Sequence, residues 1–222
     1  MTELTLSDLV ANRTMSPEMA ATLACAAAER RSMLFVAIPR MAGKSTVMRA
    51  ALQQVPAGTP IHALARSSGP QLGIPQQADG GYLTMSEIAH GGYFDDYLSG
   101  GEVQTVFAAL ERGFSLATAL HAPGIEEAFE VIRQHGVPDP EAGHIELVTY
   151  IRSFGHWSNP ERRVVEKIWE VDGVPAGNVQ SRLLHRWVEA DDGFEPVDEA
   201  ARIGIRGGYG EMVDQFRKER DA

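Results

Sequence analysis

The pattern of apolar and polar residues changes sharply between residues 33 and 52. An uninterrupted apolar run from Met33 to Ile38 meets a turn-prone segment, Pro39–Gly43, and apolar residues then recur at helical spacing after Lys44. A short apolar run that ends at turn residues is typical of a buried strand, whereas a repeat of about three to four residues is typical of a helix. This stretch therefore predicts a strand, a loop and a helix, in that order.

The same patterns predict the remaining elements. We expect two short helices within Leu4–Glu29, further helices at Ser45–Gln53, Glu102–Arg112 and Glu126–His135, and strands at Met33–Ile38, Ile61–Ala65, Tyr82–Ile88 and Ser115–Leu120. Polar and apolar residues alternate in His144–Ser153 and in Arg163–Val171, which favours a hairpin. The chain after Val197 is Gly-rich and then charged, with at most a terminal helix. Strands that alternate with helices predict an α/β fold with a mostly parallel sheet, followed by an antiparallel hairpin.

The elements suggest three parts along the chain. We predict an N-terminal helical linker at residues 1–30, an α/β domain at 31–175 and a C-terminal appendage at 176–222. A length of 222 residues fits one medium domain with an appendage. The hydrophobic fraction of 44% is sufficient for a core.

Composition narrows the function classes. The net charge of −10 argues against a general nucleic-acid binder, which would carry a basic face. The local basic cluster of Arg162, Arg163 and Lys167 is interpreted as a solvated face. The single cysteine, Cys25, excludes an internal disulfide and a cysteine-rich zinc site. With no signal peptide and no apolar run near about 18 residues, we expect a cytoplasmic protein.

Residues 39–46 carry the clearest candidate chemistry. Gly43, Lys44 and Ser45 follow a predicted strand and open a predicted helix, which is the layout of a phosphate-binding P-loop. Backbone amides at such a helix start, together with a lysine, bind phosphate, and the serine hydroxyl reaches Mg²⁺. The candidate nucleotide-binding residues are Pro39, Arg40, Met41, Ala42, Gly43, Lys44, Ser45 and Thr46. Ile38 replaces the first glycine of the usual pattern, so an ordinary loop is the alternative.

Two further residues are expected near this loop. Glu87 lies near the end of one predicted strand and His121 directly follows another. Ligands of open α/β sheets bind at the carboxyl ends of strands, so we expect Lys44, Glu87 and His121 to converge. The alternatives are an ordinary surface carboxylate for Glu87 and a hydrogen-bonded structural side chain for His121.

These residues make the chain resemble the secretion and pilus-assembly ATPases of the type II/type IV secretion superfamily, in particular the branch of tight-adherence (Flp/Tad) pili. Four segments carry the resemblance, over about residues 4–173: LTLSDLVANRTMSPEMAATLACAAAERRSMLFVA, IPRMAGKSTVMRAAL, GGEVQTVFAALERGFSLATALHAPGIEEAFEVI and ELVTYIRSFGHWSNPERRVVEKIWEVDGV. They correspond to the family's linker helix and first strand, its P-loop, its histidine box, and its late hairpin with paired arginines.

The resemblance implies a RecA-like core that assembles into hexamers, with ATP and Mg²⁺ between subunits. It also implies homo- or hetero-oligomers, membrane-embedded secretion or pilus proteins as partners, and a cytoplasmic location or a peripheral one at the inner membrane. The separate N-terminal domain of the family is expected to be missing. Glu87 would hold Mg²⁺ with Ser45, or polarise the attacking water. His121 would sense the γ-phosphate, so both are candidate catalytic residues.

Two departures from the family pattern predict weak activity. No aspartate or glutamate lies between Glu29 and Asp79, where the family has its acidic box, and Arg66 is the only arginine between Arg49 and Arg112. We therefore expect an ATP-binding domain with weak or lost hydrolysis. The alternative is a non-catalytic structural or regulatory partner of an active secretion ATPase. A small-molecule kinase would share the P-loop but has no support in the rest of the chain.

Overall fold

The computed structural model describes residues 3–89, 91, 94–204 and 207–221. Its strands are β1 (Met33–Val36), β2 (Ile61–Ala63), β3 (Tyr82–Thr84), β4 (Glu87–Ile88), β5 (Tyr97–Leu98), β6 (Ser115–Leu120), β7 (Leu147–His156), β8 (Asn159–Gly173), β9 (Gln180–Val188) and β10 (Gly193–Pro196). Its helices are α1 (Leu6–Ala11), α2 (Pro17–Ala28), α3 (Lys44–Leu52), α4 (Gly101–Leu110), α5 (Ile125–Gln134), α6 (Asp139–Ala142) and α7 (Tyr209–Asp221).

One sheet organises these elements. Its strands follow the order β10-β9-β8-β7-β1-β6-β3-β2, and β4 pairs with β6 and β5 beside this path. The five strands from β7 to β2 in this order are parallel, and β8, β9 and β10 are antiparallel additions. The prediction of an α/β fold with a mostly parallel sheet and a late hairpin is confirmed.

The central strand β1 explains the uninterrupted apolar run. Met33 and Phe35 face one core, which α1, α2, α3 and α7 cover, whereas Leu34 and Val36 face a second core under α4, α5 and α6. Both faces of a parallel strand are therefore buried, and the alternation of polar and apolar residues disappears. The order of strand, loop and helix predicted for residues 33–52 is confirmed.

Two predictions of secondary structure are wrong. The strand predicted at Tyr82–Ile88 is interrupted at Met85 and Ser86, because the Ser86 amide and hydroxyl bond to Asp96 rather than to a strand neighbour. Strands β9 and β10 were not expected. They belong to the segment predicted as an appendage, and β9 pairs with β8 in the same sheet. The predicted terminal helix is present as α7, which packs against α1 and α2. The division into three parts stays a prediction.

A buried carboxylate holds the segment before α7 on the sheet. Glu170 in β8 is 0% exposed. It accepts hydrogen bonds from the backbone amides of Ala201 (2.7 Å), Arg202 (2.9 Å) and Ile203 (3.1 Å). Hydrogen bonds to a charged group are stronger than neutral ones, and a buried charge without them would be costly. Glu170 therefore fixes the path of the chain after β10.

None of the helices among the described residues is both long enough and apolar enough to cross a membrane.

We predict that Glu170→Ala lowers the free energy of unfolding by about 3 kcal/mol, because three buried amides lose a charged acceptor. Urea denaturation followed by circular dichroism measures the change. Glu111→Ala, at an exposed glutamate, is the control and should stay within about 0.5 kcal/mol of the natural chain. Equal midpoints for both variants would contradict the role of Glu170.

Candidate functional site

The sheet brings Lys44, Glu87 and His121 together. Lys44 begins α3 after β1, Glu87 begins β4, and His121 directly follows β6. Strand β6 runs parallel to β1 and pairs with β4, so all three residues lie at the same edge of the sheet. The expected convergence is therefore present, although the roles of these residues stay predictions.

The three side chains form a compact cluster. Lys44 Nζ lies 3.4 Å from Glu87 Oε2 and 3.2 Å from both ring nitrogens of His121. His121 Nε2 lies 3.3 Å from Glu87 Oε2, and Nδ1 lies 3.2 Å from the Ala37 carbonyl. A neutral imidazole can accept from Lys44 on one nitrogen and donate from the other. As a neutral ring that accepts from Lys44, His121 can donate either to Glu87 through Nε2 or to the Ala37 carbonyl through Nδ1. It therefore lies against the lysine, the carboxylate and the end of β1.

The cluster is largely removed from solvent, which shifts two of its pKa values. Lys44 is only 6% exposed. Burial lowers the pKa of Lys44 below its ordinary value, although the Glu87 carboxylate opposes this shift. Burial alone would raise the pKa of Glu87, but the hydrogen bond from His121 and the charge of Lys44 outweigh it and hold that pKa below its ordinary value.

The loop before α3 needs glycine at one position. Gly43 has φ +102°, a left-handed conformation that L side chains rarely adopt. A Cβ atom at this position would also lie 3.0 Å from Cδ of Arg163 in β8. Gly43 forms the N-cap of α3 without a side-chain hydrogen bond to the first turn, so no local side chain covers the helix start. The backbone amides of Thr46 and Val47 donate to the Gly43 carbonyl at 3.0 Å each, so the helix start is capped by the backbone.

A cavity of about 730 Å³ opens above this loop. It is lined by loop and helix residues Arg40, Met41, Ala42, Gly43, Lys44, Ser45, Thr46 and Val47, by Glu87, Tyr97 and His121, by Leu4, Leu9, Asn12 and Thr14 near α1, and by Ile151, Glu161, Arg162 and Arg163 from β7 and β8. Of the candidate nucleotide-binding residues, only Pro39 is absent from this lining in the described part of the chain. Ile38 is 48% exposed and is likewise absent from it.

The residues present fit a magnesium nucleotide. Mg²⁺ is commonly held by one or two protein oxygens, with phosphate oxygens and waters completing its shell. Ser45 and Glu87 line the same cavity and offer a hydroxyl and an ionised carboxylate. Among the described residues, no cluster of three or more His, Cys, Asp or Glu side chains could hold a metal ion alone. The site suits a metal that arrives with phosphate better than a tightly bound resident metal.

The segment without acidic residues, 30–78, and the one with Arg66 as its only arginine, 50–111, can also be located in the fold. Strand β2, which follows α3, lies at the far edge of the sheet beside β3. Arg66, just after β2, is paired with Glu102 at 2.6 Å. Among the described residues that line the cavity, the only carboxylates are Glu87 and Glu161. No acidic side chain from the strand after α3 reaches the site.

Sequence reasoning missed one wall of the cavity. Arg162 and Arg163 were interpreted as a solvated face, but both are partly buried and line the cavity. Arg163 Nε donates to the Met41 carbonyl at 3.2 Å. The paired arginines in the predicted hairpin were the available signal, but nothing in their spacing indicates which loop the hairpin approaches.

Comparisons with known proteins give distant similarities. No family model matches the chain, and no curated protein matches it. Among solved structures, the chain is similar to the VirB11 ATPase of the Brucella suis type IV secretion system in complex with sulphate, at 17% identity and a TM-score of 0.48 over 67% of this chain and 50% of that one. It is also similar to the ATPase DotB of Legionella pneumophila, at 14% identity and a TM-score of 0.45 over 100% of this chain and 59% of that one. The chain thus spans less than two thirds of either structure, and these similarities are too distant to assign a residue role.

We predict that Glu87→Gln lowers the pKa of Lys44 further, because the carboxylate is the group that opposes the effect of burial. NMR titration of ¹³C-labelled lysine side chains follows Lys44 beside Lys167 and Lys218. Glu161→Gln is the control, since Glu161 lines the cavity but has no ion pair with Lys44 among the described contacts. A Lys44 pKa that is unchanged or higher in Glu87→Gln would contradict the pairing.

Proposed function

We propose that this chain is the ATP-binding domain of a secretion or pilus-assembly ATPase-like protein, and that its hydrolysis is weak or lost. ATP and Mg²⁺ would bind at residues 39–46. A RecA-like organisation, assembly into homo- or hetero-oligomers, contact with membrane-embedded secretion proteins, and a cytoplasmic or inner-membrane-peripheral location belong to the same proposal.

One observation carries the proposal. A lysine at the first residue of a helix, after a left-handed glycine and a buried strand, meets a carboxylate and a histidine inside a cavity of about 730 Å³. A helix start that carries a lysine attracts phosphate, and an adjacent carboxylate suits its magnesium ion. A surface loop that contains Gly-Lys-Ser by chance would not bury its lysine against two chemically matched partners.

The cluster also indicates how phosphate would bind. The Lys44 ammonium contacts Glu87 and His121, so its side chain must rotate partly away from them to contact phosphate. Mg²⁺, when bound, supplies positive charge that offsets the carboxylate beside the phosphate groups. Ser45 and Glu87 would hold that ion, and His121 would remain within reach of Lys44 and Glu87. Binding is therefore expected to depend on Mg²⁺.

The same contacts support slow turnover. A general base works best when its pKa lies near the working pH, whereas Lys44 and His121 hold the pKa of Glu87 below its ordinary value. Glu87 is thus better suited to hold a metal through water than to remove a proton. The other carboxylate of the lining, Glu161, belongs to the opposite wall in β8.

The second candidate function is a non-catalytic partner that joins an active secretion ATPase through its oligomer surface. The absence of an acidic residue in β2 and in the segment from there to Gln77 favours it, because in-line attack on phosphate needs a group that orients water. Nucleotide binding separates the two functions: MgATP binding that depends on Lys44 supports the ATP-binding domain, and no binding at all leaves only a structural partner. Phosphate release that depends on Lys44 would instead establish an active motor.

We predict that Lys44→Ala weakens binding of MgATP by about 100-fold, since a charge-assisted contact to phosphate is lost. Isothermal titration calorimetry measures the affinity, with and without Mg²⁺. Lys218→Ala is the control because Lys218 is exposed on α7, and it should bind as the natural chain does. Equal affinities of Lys44→Ala and the natural chain would exclude the site.

We predict that steady-state phosphate release by the natural chain is no faster than by Lys44→Ala. Positive charge at the transition state is worth about 10³–10⁵ in rate, and the segment after α3 supplies no acidic residue to orient the attacking water. A coupled phosphate assay at saturating MgATP tests this. Release at about 1 s⁻¹ that Lys44→Ala abolishes would instead identify an active motor.

A further inference from the structure

The β7–β8 hairpin reaches across the cavity to the loop before α3. Arg163 Nε donates to the Met41 carbonyl at 3.2 Å, and Arg163 Cδ would lie 3.0 Å from a Cβ atom on Gly43. The side chain therefore runs directly against Met41 and Gly43, two of the three loop residues that come just before Lys44. Arg163 also lines the cavity, as Lys44 does.

The neighbouring arginine is engaged elsewhere. Arg162 Nη2 is paired with Asp192 Oδ1, and its guanidinium lies 5.6 Å from the ring centroid of Trp187. Trp187 Nε1 donates to the same carboxylate oxygen at 3.0 Å. Asp192 Oδ2 also lies 3.2 Å from Arg13 Nη2, so Arg162 shares this carboxylate with a second arginine.

The guanidinium of Arg163 keeps its charge available to the cavity. Within the described part of the chain, Arg163 has no ion pair, and its one recorded hydrogen bond, through Nε, goes to a neutral carbonyl. A guanidinium presents donors in a planar fork that matches phosphate oxygens. When Nε is used by the loop, the two terminal nitrogens remain to contact an anion.

We propose that Arg163 binds the phosphate groups of the nucleotide, in the same chain as the loop. This inference rests on the proposed function. Arg163 lies in a hairpin more than one hundred residues after the loop. It would supply positive charge that the segment between Arg66 and Arg112 lacks. Lys44 would contact the phosphate groups from the helix start, and Arg163 from β8, where its side chain packs against Gly43.

The test compares MgATP affinity, by calorimetry, in the natural chain and in Arg163→Ala, Arg163→Lys and Lys44→Ala. Arg163→Ala should bind about 10-fold to 100-fold more weakly, and Arg163→Lys should lie between, because it keeps the charge without the fork. Arg186→Ala is the matched control, since Arg186 is exposed in β9 and paired with Glu195 at 2.9 Å. Urea midpoints show whether each variant is folded.

A second readout separates phosphate binding from shaping of the loop. If Arg163 contacts phosphate, affinity for inorganic tripolyphosphate should fall in Arg163→Ala, and it should depend less on ionic strength than in the natural chain. If the arginine only holds the Met41 carbonyl, affinity falls while the dependence on ionic strength is unchanged, and that result would overturn the inference.

The remaining outcomes are also distinct. A natural chain that binds neither nucleotide nor tripolyphosphate overturns the proposed function and this inference with it. A natural chain whose binding is lost in Lys44→Ala but stays within about two-fold in Arg163→Ala overturns the inference alone, because Lys44 then binds without help from the hairpin.

Discussion

The structure depends on keeping one buried charge paired. Lys44 is almost excluded from water, and an unpaired ammonium there would be costly, so its surroundings must supply a carboxylate and a hydrogen-bond acceptor. Glu87 and His121 do so from two separate strands. Their positions require that the ends of β1 and β6 and the short strand β4 lie at the same edge of the sheet. The parallel order of the sheet is thus the condition for a stable lysine at the start of α3.

Burial of the Lys44–Glu87 ion pair costs desolvation free energy, which is easier to explain in a binding site than in a structural core. A buried ion pair is often no more stable than apolar packing of the same volume, because both groups are desolvated. The chain nevertheless places this pair beside a large cavity rather than inside either apolar core. Perturbed ionisable groups in a cleft mark candidate functional sites, and structural ion pairs are the alternative explanation. Here the ion pair adjoins the loop at Gly43, which favours a functional site over a purely structural ion pair.

Much of the fold could be predicted because its information is local. The strand residues that begin at Met33 and those of Ser115–Leu120 each form an unbroken stretch in the sequence. The strand at Ser115–Leu120 is confirmed with the same bounds. The order of strands around β1 then placed Lys44 and His121 near one another. Strands β9 and β10 escaped prediction because their burial depends on pairing with β8, which alternation alone does not specify. The break at Ser86 depends on its contact with Asp96.

The second wall of the site could not be predicted for the same reason. Arg162 and Arg163 line the cavity because the β7–β8 hairpin packs against the loop before α3. No pattern in the sequence indicates that contact. In β8 the amide of Val165 bonds to the Thr14 carbonyl at 2.7 Å, and the pairing with β7 shifts between Tyr150 and Ile151. This contact anchors the hairpin two residues from Arg163.

That anchor limits how the chain can change in length. Side chains alternate between the faces of a strand, so a slip by one residue turns each of them to the opposite face. An insertion at the hairpin tip, around Trp157 and Ser158, would leave the pairing of β7 with β8 and the position of the hairpin unchanged. An insertion between Arg163 and Val165 would swing the guanidinium out of the cavity while the sheet stayed intact. Related chains should therefore vary at the hairpin tip and keep a constant spacing near its anchor.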